Sequence, residues 1–221
     1  VEVATLLGDL AEEVVFLGGA VAGLLITDPA SPAIRPTLDI DVLVEVGTLG
    51  EYYRFQERLR QRGFLEALGE SVICRFRHGA LILDVMPTDP DILGFANRWY
   101  VYAARDFRIM AVNSATLRVV SPASFLATKL DAFHGRGNGD FMLSHDMEDI
   151  IAVIDGRPEI VRDISTAEFE VRNYLREQFA SLLQNRFFLD ALPGYLPGDA
   201  GSQQRLPILL ERLARLAVKA P

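Results

Sequence analysis

An α/β fold, with a mixed sheet carrying helices on its faces and a helical C-terminal half, is predicted by three features of this 221-residue chain. Val14-Val15-Phe16-Leu17 is a short apolar strand that ends on the pair Gly18-Gly19. Asp39-Ile40-Asp41-Val42-Leu43-Val44 alternates with the period of two that marks a strand. Beyond about residue 120 only helical spacing remains, so the chain divides into a mixed-sheet core over 1–120 and a helical part over 121–221.

Each element follows from local chemistry. Residues 3–13 read as a helix, 14–17 as a strand and 19–27 as a helix leaving the glycine pair. Pro29, Pro32 and Pro36 force a loop across 28–36. A strand over 39–46 follows, then a helix over 50–62 that Gly63 ends. Val72–Arg77 and Leu81–Val85 form a hairpin turning at His78-Gly79, and 106–120 holds another pair of strands. Ser121-Pro122 is a helix start, with serine as cap and proline at the first helical position. That helix runs through Phe125, Leu126, Lys129, Leu130 and Phe133 until the glycines of 135–139 break it. Helical spacing resumes at Asp146–Ile154, and further helices lie near 157–163, 167–184 and 203–219. There is no internal repeat or low-complexity tract.

Composition narrows the function. Hydrophobic residues make up 50% of the chain, enough for a substantial core. The longest uncharged apolar stretch, Val14–Ile26, is shorter than the roughly 20 residues of a membrane-spanning helix. No basic-then-apolar leader opens the sequence, and the chain reads as soluble and cytoplasmic, without a membrane partner. Lys and Arg number 22 against 30 Asp and Glu, and the formal net charge of −8 argues against broad nucleic-acid binding while leaving room for a local basic groove. Arg54, Arg58, Arg60 and Arg62 interleave with Glu51 and Glu57, the pattern of a solvated helix face. Cys74 is the single cysteine and reads as a small apolar strand residue.

The carboxylates carry the chemistry. Asp39 and Asp41 stand two apart on one strand and project from one face, with Ile40, Val42, Val44 and Val46 on the other. Aspartate is depleted in strands, and two on one face repel unless a cation neutralises them. A hard divalent cation such as Mg²⁺ would do so. Asp84, between Ile82 and Met86 on its own face, is a third carboxylate that needs a compensating charge. Gly18 and Gly19 let backbone N–H groups approach a phosphate. Their adjacency is not the G-x-G-x-x-G spacing of a dinucleotide fold.

In the second half, Lys129 and Arg136 stand seven apart and could grip phosphate oxygens. Asp146 and Asp149 are three apart on the next helix, where Asp149 could form a buried ion pair with either cation. His134 and His145 lack a supporting zinc-ligand pattern.

The glycine pair, the Leu38-Asp39-Ile40-Asp41-Val42 strand and Asp84 resemble the core of the polymerase-β-type nucleotidyltransferase superfamily. Lys129-Leu130-Asp131-Ala132-Phe133 with Arg136, followed by His145-Asp146-Met147-Glu148-Asp149-Ile150, is similar to a motif of the AbiEii/AbiGii toxin-like nucleotidyltransferases. Two intervals are longer than the family pattern: Gly19 to Asp39, and Arg136 to Asp146 through the loop 137–144. Gly19-Ala20 also stands where many relatives place a serine.

The resemblance implies a metal-dependent transfer of a nucleoside monophosphate from an NTP to a hydroxyl, with Mg²⁺ or Mn²⁺ as cofactor. It implies that Asp39, Asp41 and Asp84 hold metal and act in catalysis, and that Gly18 and Gly19 cradle phosphates. Lys129 and Arg136 would offset phosphate charge, Asp146 and Asp149 would orient them, and the helical part would complete the active-site cleft. The acceptor would be a tRNA or other RNA end, a protein or a small molecule, and the resemblance allows an antitoxin partner. Two alternatives stand beside it, a non-catalytic nucleotide-binding module and a phosphotransferase; the latter lacks a Walker lysine or kinase catalytic loop in this sequence.

Overall fold

The computed structural model describes residues 2–67, 73–94, 96–113, 115–136 and 139–218, the side chain of residue 136 excepted. The chain divides into two compact units, one of Val1–Val21 and Pro36–Ser121, the other of Ala22–Arg35 and Pro122–Pro221. The sequence suggested one seam near residue 120; in the structure a second one separates 22–35 from the strands that flank it.

The first unit is built on a mixed seven-stranded sheet: β1 (Val14–Leu17), β2 (Asp39–Val44), β3 (Leu65–Glu66), β4 (Arg75–His78), β5 (Leu81–Pro87), β6 (Phe107–Val112) and β7 (Ala115–Val120). Their spatial order is β3-β4-β5-β2-β1-β7-β6. The all-apolar β1 is interior to the sheet and buried throughout, antiparallel to β2 and parallel to β7. β2 runs parallel to β5, with Asp41 level with Asp84. β4 and β5 form the hairpin expected at His78-Gly79, where Gly79 takes φ +60°, a conformation open to glycine. The strand expected from Val72 begins at Arg75, and 68–72 lie outside the described residues.

The Leu49–Gln61 helix shows how local sequence fixes an element. Thr48 accepts the Glu51 N–H at its start, and the Glu51 carboxylate accepts the Gly47 N–H at 2.8 Å, so two otherwise orphaned donors are satisfied. At the other end Gly63 takes φ +84° and turns the chain away. Its buried face carries Tyr52, Phe55 and Leu59, and the Tyr52 hydroxyl donates to the Val85 carbonyl at 2.8 Å. On its other face the arginines are consumed in ion pairs: Arg58 with Glu13, Arg60 with Glu57 and Glu66, Arg62 with Asp9. Arg54, the fourth of the cluster, is largely exposed and stands 3.8 Å from Glu51, so this is the solvated, ion-paired face that the interleaved glutamates suggest. The predicted 3–13 helix is split into the Glu2–Leu7 α-helix and a 3₁₀ segment, Gly8–Glu12, whose first residue has φ +55°.

The second unit is helical. Its long helices are Pro122–Arg136, His145–Gly156, Phe169–Gln184 and Leu206–Ala217, with shorter ones at Ile160–Ser165, Arg186–Ala191 and Ala200–Gln203. Phe125, Leu126 and Leu130 are fully buried, and Phe133, Phe141 and Phe188 form a ring cluster with centroids 5.1 and 5.6 Å apart. Ser144 caps the His145–Gly156 helix by accepting the Met147 N–H.

The segment 22–35 belongs to this unit for visible reasons. The predicted 19–27 helix survives there only as Ala22–Leu25. Beyond it, the Thr27 and Asp28 N–H groups both donate to the Gly156 carbonyl at 2.9 Å. A side chain at Gly156 would fall within 3 Å of Ser31 and Ile26, so only glycine lets the backbones approach. Arg205 clamps the segment, donating to Asp28 and Asp155 at 2.7 Å each, and this hydrogen bond holds the Asp28 carboxyl below its usual pKa. Arg157 donates to the Leu25 carbonyl at 2.7 Å.

Candidate functional site

Three carboxylates share one face of the sheet. Residues level with each other on adjacent parallel strands point the same way, so Asp41 and Asp84 share a face, and Asp39, two positions before Asp41, shares it too. Asp39 and Asp41 stand at the start of β2 and are half-buried, whereas Asp84 is 6% exposed. Thr37 donates its hydroxyl to Asp39 at 2.7 Å.

Gly18 closes the site on the β1 side. Leu17 pairs with Asp41, and the chain turns at Gly18 with φ +73°. A Cβ there would lie 1.8 Å from an Asp41 carboxylate oxygen, so the glycine is required both by conformation and by close approach. Gly19 opens a 3₁₀ turn, Gly19–Val21, and the Val21 N–H donates to the Gly18 carbonyl at 3.3 Å. Gly18→Ala should destabilise the protein by more than about 1 kcal/mol, because an L-residue in this conformation costs that much before the clash is counted. A urea unfolding midpoint equal to that of the wild type would contradict this.

One residue of this site escapes the sequence reading. Asp84 was expected to need a metal as its compensating charge; in the structure Arg75 supplies that charge. The Arg75 guanidinium donates twice to Asp84, Nε to Oδ1 at 2.8 Å and Nη2 to Oδ2 at 2.7 Å, and Nη2 stands 3.6 Å from Asp39 Oδ2. Such a bidentate pair is a strong, oriented interaction. The signal was present, since a two-residue turn at Gly79-Ala80 places Arg75 directly across from Asp84. Among the described residues no group of three or more His, Cys, Asp or Glu is arranged to hold a metal ion. Cys74, just before β4, is buried, and burial followed by the Asp84 charge pushes its thiol up to about 12, the opposite of a nucleophile's tuning.

In the helical unit, Lys129, Asp146 and Asp149 come together. Lys129 Nζ donates to Asp149 Oδ2 at 2.6 Å and to Asp146 Oδ1 at 3.1 Å, and all three side chains are buried. Burial works against the ammonium, but Asp149 and Asp146 outweigh it, and the Lys129 pKa rises above the ordinary lysine value. Arg35 adds a second cation, 3.4 Å from Glu148 and 3.9 Å from Asp149. Arg136 closes the Pro122–Arg136 helix, and its side chain lies outside the described residues. His134 and His145 are exposed, and His145 faces Glu148 at 3.4 Å.

Among the described residues, no helix is long and apolar enough to cross a membrane. No family model matches the chain, and no curated protein matches it. Its structure is similar to that of an antigenic nucleotidyltransferase-like protein from Paracoccidioides brasiliensis, with a TM-score of 0.50 over 88% of this chain and 89% of that one. Sequence identity is 20%, so the likeness is one of fold. The mixed sheet with its helices is therefore an α/β fold shared with that protein.

Proposed function

We propose that this chain is a nucleotidyltransferase that moves a nucleoside monophosphate from an NTP to a hydroxyl acceptor, and that it is related to the AbiEii/AbiGii toxin-like enzymes. The observation that carries this reading is the alignment of Asp39, Asp41 and Asp84 on one sheet face beside the Gly18 turn. The similar fold of a nucleotidyltransferase-like protein supports it.

The half-buried Asp39 and Asp41 fit a hard divalent cation, Mg²⁺ or Mn²⁺, which when bound would neutralise and align phosphate oxygens. Asp84 fits such a role only once it leaves Arg75, whose guanidinium is then available for a phosphate. Freed in this way, Asp84 would accept the proton of the attacking hydroxyl. The acceptor oxygen would bond to the α-phosphorus as the bond to the bridging oxygen breaks and pyrophosphate leaves. Backbone N–H groups at Gly18 and Gly19 would face phosphate oxygens. The same proposal gives Lys129 and Arg136 the part of phosphate-facing cations, with Asp146 and Asp149 orienting Lys129. An RNA end such as that of tRNA, a protein hydroxyl and a small metabolite are the acceptor classes it covers, and it extends to a cytoplasmic setting and an antitoxin partner.

Asp41→Asn should abolish Mg²⁺-dependent labelling of acceptors in a cell lysate supplied with α-labelled NTPs, while the far-UV spectrum and melting curve stay those of a folded protein. Retained labelling would refute the assignment. The Arg75–Asp84 pair specifically favours a second reading, nucleotide binding without turnover. Calorimetry that finds NTP affinity in a protein that labels nothing would select it.

A further inference from the structure

The helical unit contains an open cavity of about 850 Å³ between the Ile160–Ser165, Phe169–Gln184 and Leu206–Ala217 helices. This is within the range of about 300–1,000 Å³ typical of ligand pockets. Four arginines line it, Arg162, Arg172, Arg176 and Arg215, against one carboxylate, Glu211. That balance is the reverse of the chain as a whole, whose net charge is −8. Arg162 and Arg172 have no carboxylate partner among the described residues; Arg172 donates to the Ser165 carbonyl at 2.8 Å. Arg176 is held by Asn173 at 2.5 Å and Glu177 at 3.6 Å, and Arg215 lies only 3.9 Å from Glu211 on an exposed helix face.

Between the cations the lining is mostly apolar, with Ser165 and Asn173 as its neutral polar residues. Ile164 and Leu216 are buried, and Phe169 is 66% exposed at the rim. The Arg172 guanidinium lies 5.9 Å from the Phe169 ring centroid. Isolated surface arginines on an acidic protein need no explanation, but four around an apolar hollow with an exposed aromatic ring are complementary to a ligand that is itself anionic and flat. An acidic peptide would meet the charges and leave the ring and guanidinium planes without a stacking partner. A nucleobase stacks on both kinds of surface, and its phosphates pair with arginine.

We propose that this groove binds a nucleotide unit, with its phosphates on Arg162, Arg172, Arg176 and Arg215 and its base against Phe169 and the apolar floor. The unit belongs either to a single strand or to a free nucleotide. None of these residues belongs to the carboxylate site, and nucleotide binding here does not depend on transfer activity.

The test is fluorescence anisotropy of a labelled short oligouridylate with the full chain in EDTA, which silences any metal-dependent binding. Binding should weaken with salt along a log–log slope of about −3 if all four arginines meet phosphates, at about −0.7 for each. Arg162→Gln should reduce that slope by about 0.7, and Phe169→Ala should weaken binding about tenfold. Arg215→Glu supplies a second lesion, with melting curves confirming that each variant is folded. Displacement by a mononucleotide identifies a free nucleotide as the occupant; displacement only by unlabelled strands identifies a strand. No binding, binding indifferent to the groove substitutions, or displacement by polyglutamate as effective as by unlabelled oligouridylate overturns the proposal.

Discussion

Replacing Lys129 by Met will destabilise the protein by about 3–5 kcal/mol, the usual consequence of removing one partner from a buried ion pair. The side chain is nearly isosteric in length, so packing is largely kept while the charge is lost. Asp146 and Asp149 then stay buried with their 3.1 and 2.6 Å contacts to Nζ gone, while the Arg35 guanidinium remains 3.9 Å from Asp149. Lys129→Met/Asp149→Asn should recover part of the loss, because one buried negative charge is removed with the lysine. Urea unfolding at neutral pH measures both. An effect below about 1 kcal/mol, the size of an exposed pair, would show that the triad is solvated.

Arg75→Met should have an effect of similar size, about 3–5 kcal/mol in metal-free buffer, because Asp84 is 6% exposed and loses a bidentate partner. The variant also separates the two ways of neutralising this face. With the guanidinium gone, Asp84 loses its bidentate partner and Asp39 a cation at 3.6 Å, and a divalent cation can take its place. Mg²⁺ should therefore raise the melting temperature of Arg75→Met more than that of the wild type, by linkage to the native state. Equal stability of variant and wild type would show that Arg75 does not compensate Asp84. An absent Mg²⁺ response would count against these acids as metal ligands.

Local patterns were legible in the sequence and long-range pairings were not. The strand around Asp39 and Asp41 was readable from its alternation, but it ends at Val44 and its burial does not alternate: Val42, Leu43 and Val44 are all buried, while Ile40 and Val46 are only half-buried. The end of the Leu49–Gln61 helix was readable in Gly63, which takes φ +84° there, whereas the Thr48 cap at its start is seen only in the structure. The level pairing of Asp41 with Asp84 was not, because parallel strands are joined by a crossover and their register depends on packing. The membership of 22–35 in the helical unit was hidden for a similar reason. It is fixed by Gly156 and Arg205, more than 100 residues downstream. The Arg75–Asp84 pair lies between these cases. Its register followed from the Gly79 turn, but a carboxylate among apolar residues does not itself say whether its counter-charge is a metal or a cross-strand guanidinium.

Transfer of a nucleotide by the carboxylate face, as we propose it, is decided by incubating the protein with Mg²⁺, cell lysate and an NTP labelled in parallel at the α- or the γ-phosphate. The α-label should appear on an acceptor and the γ-label in pyrophosphate, and Asp41→Asn should abolish both. Label from the γ-position on the acceptor, or no labelled acceptor with any NTP, would contradict it.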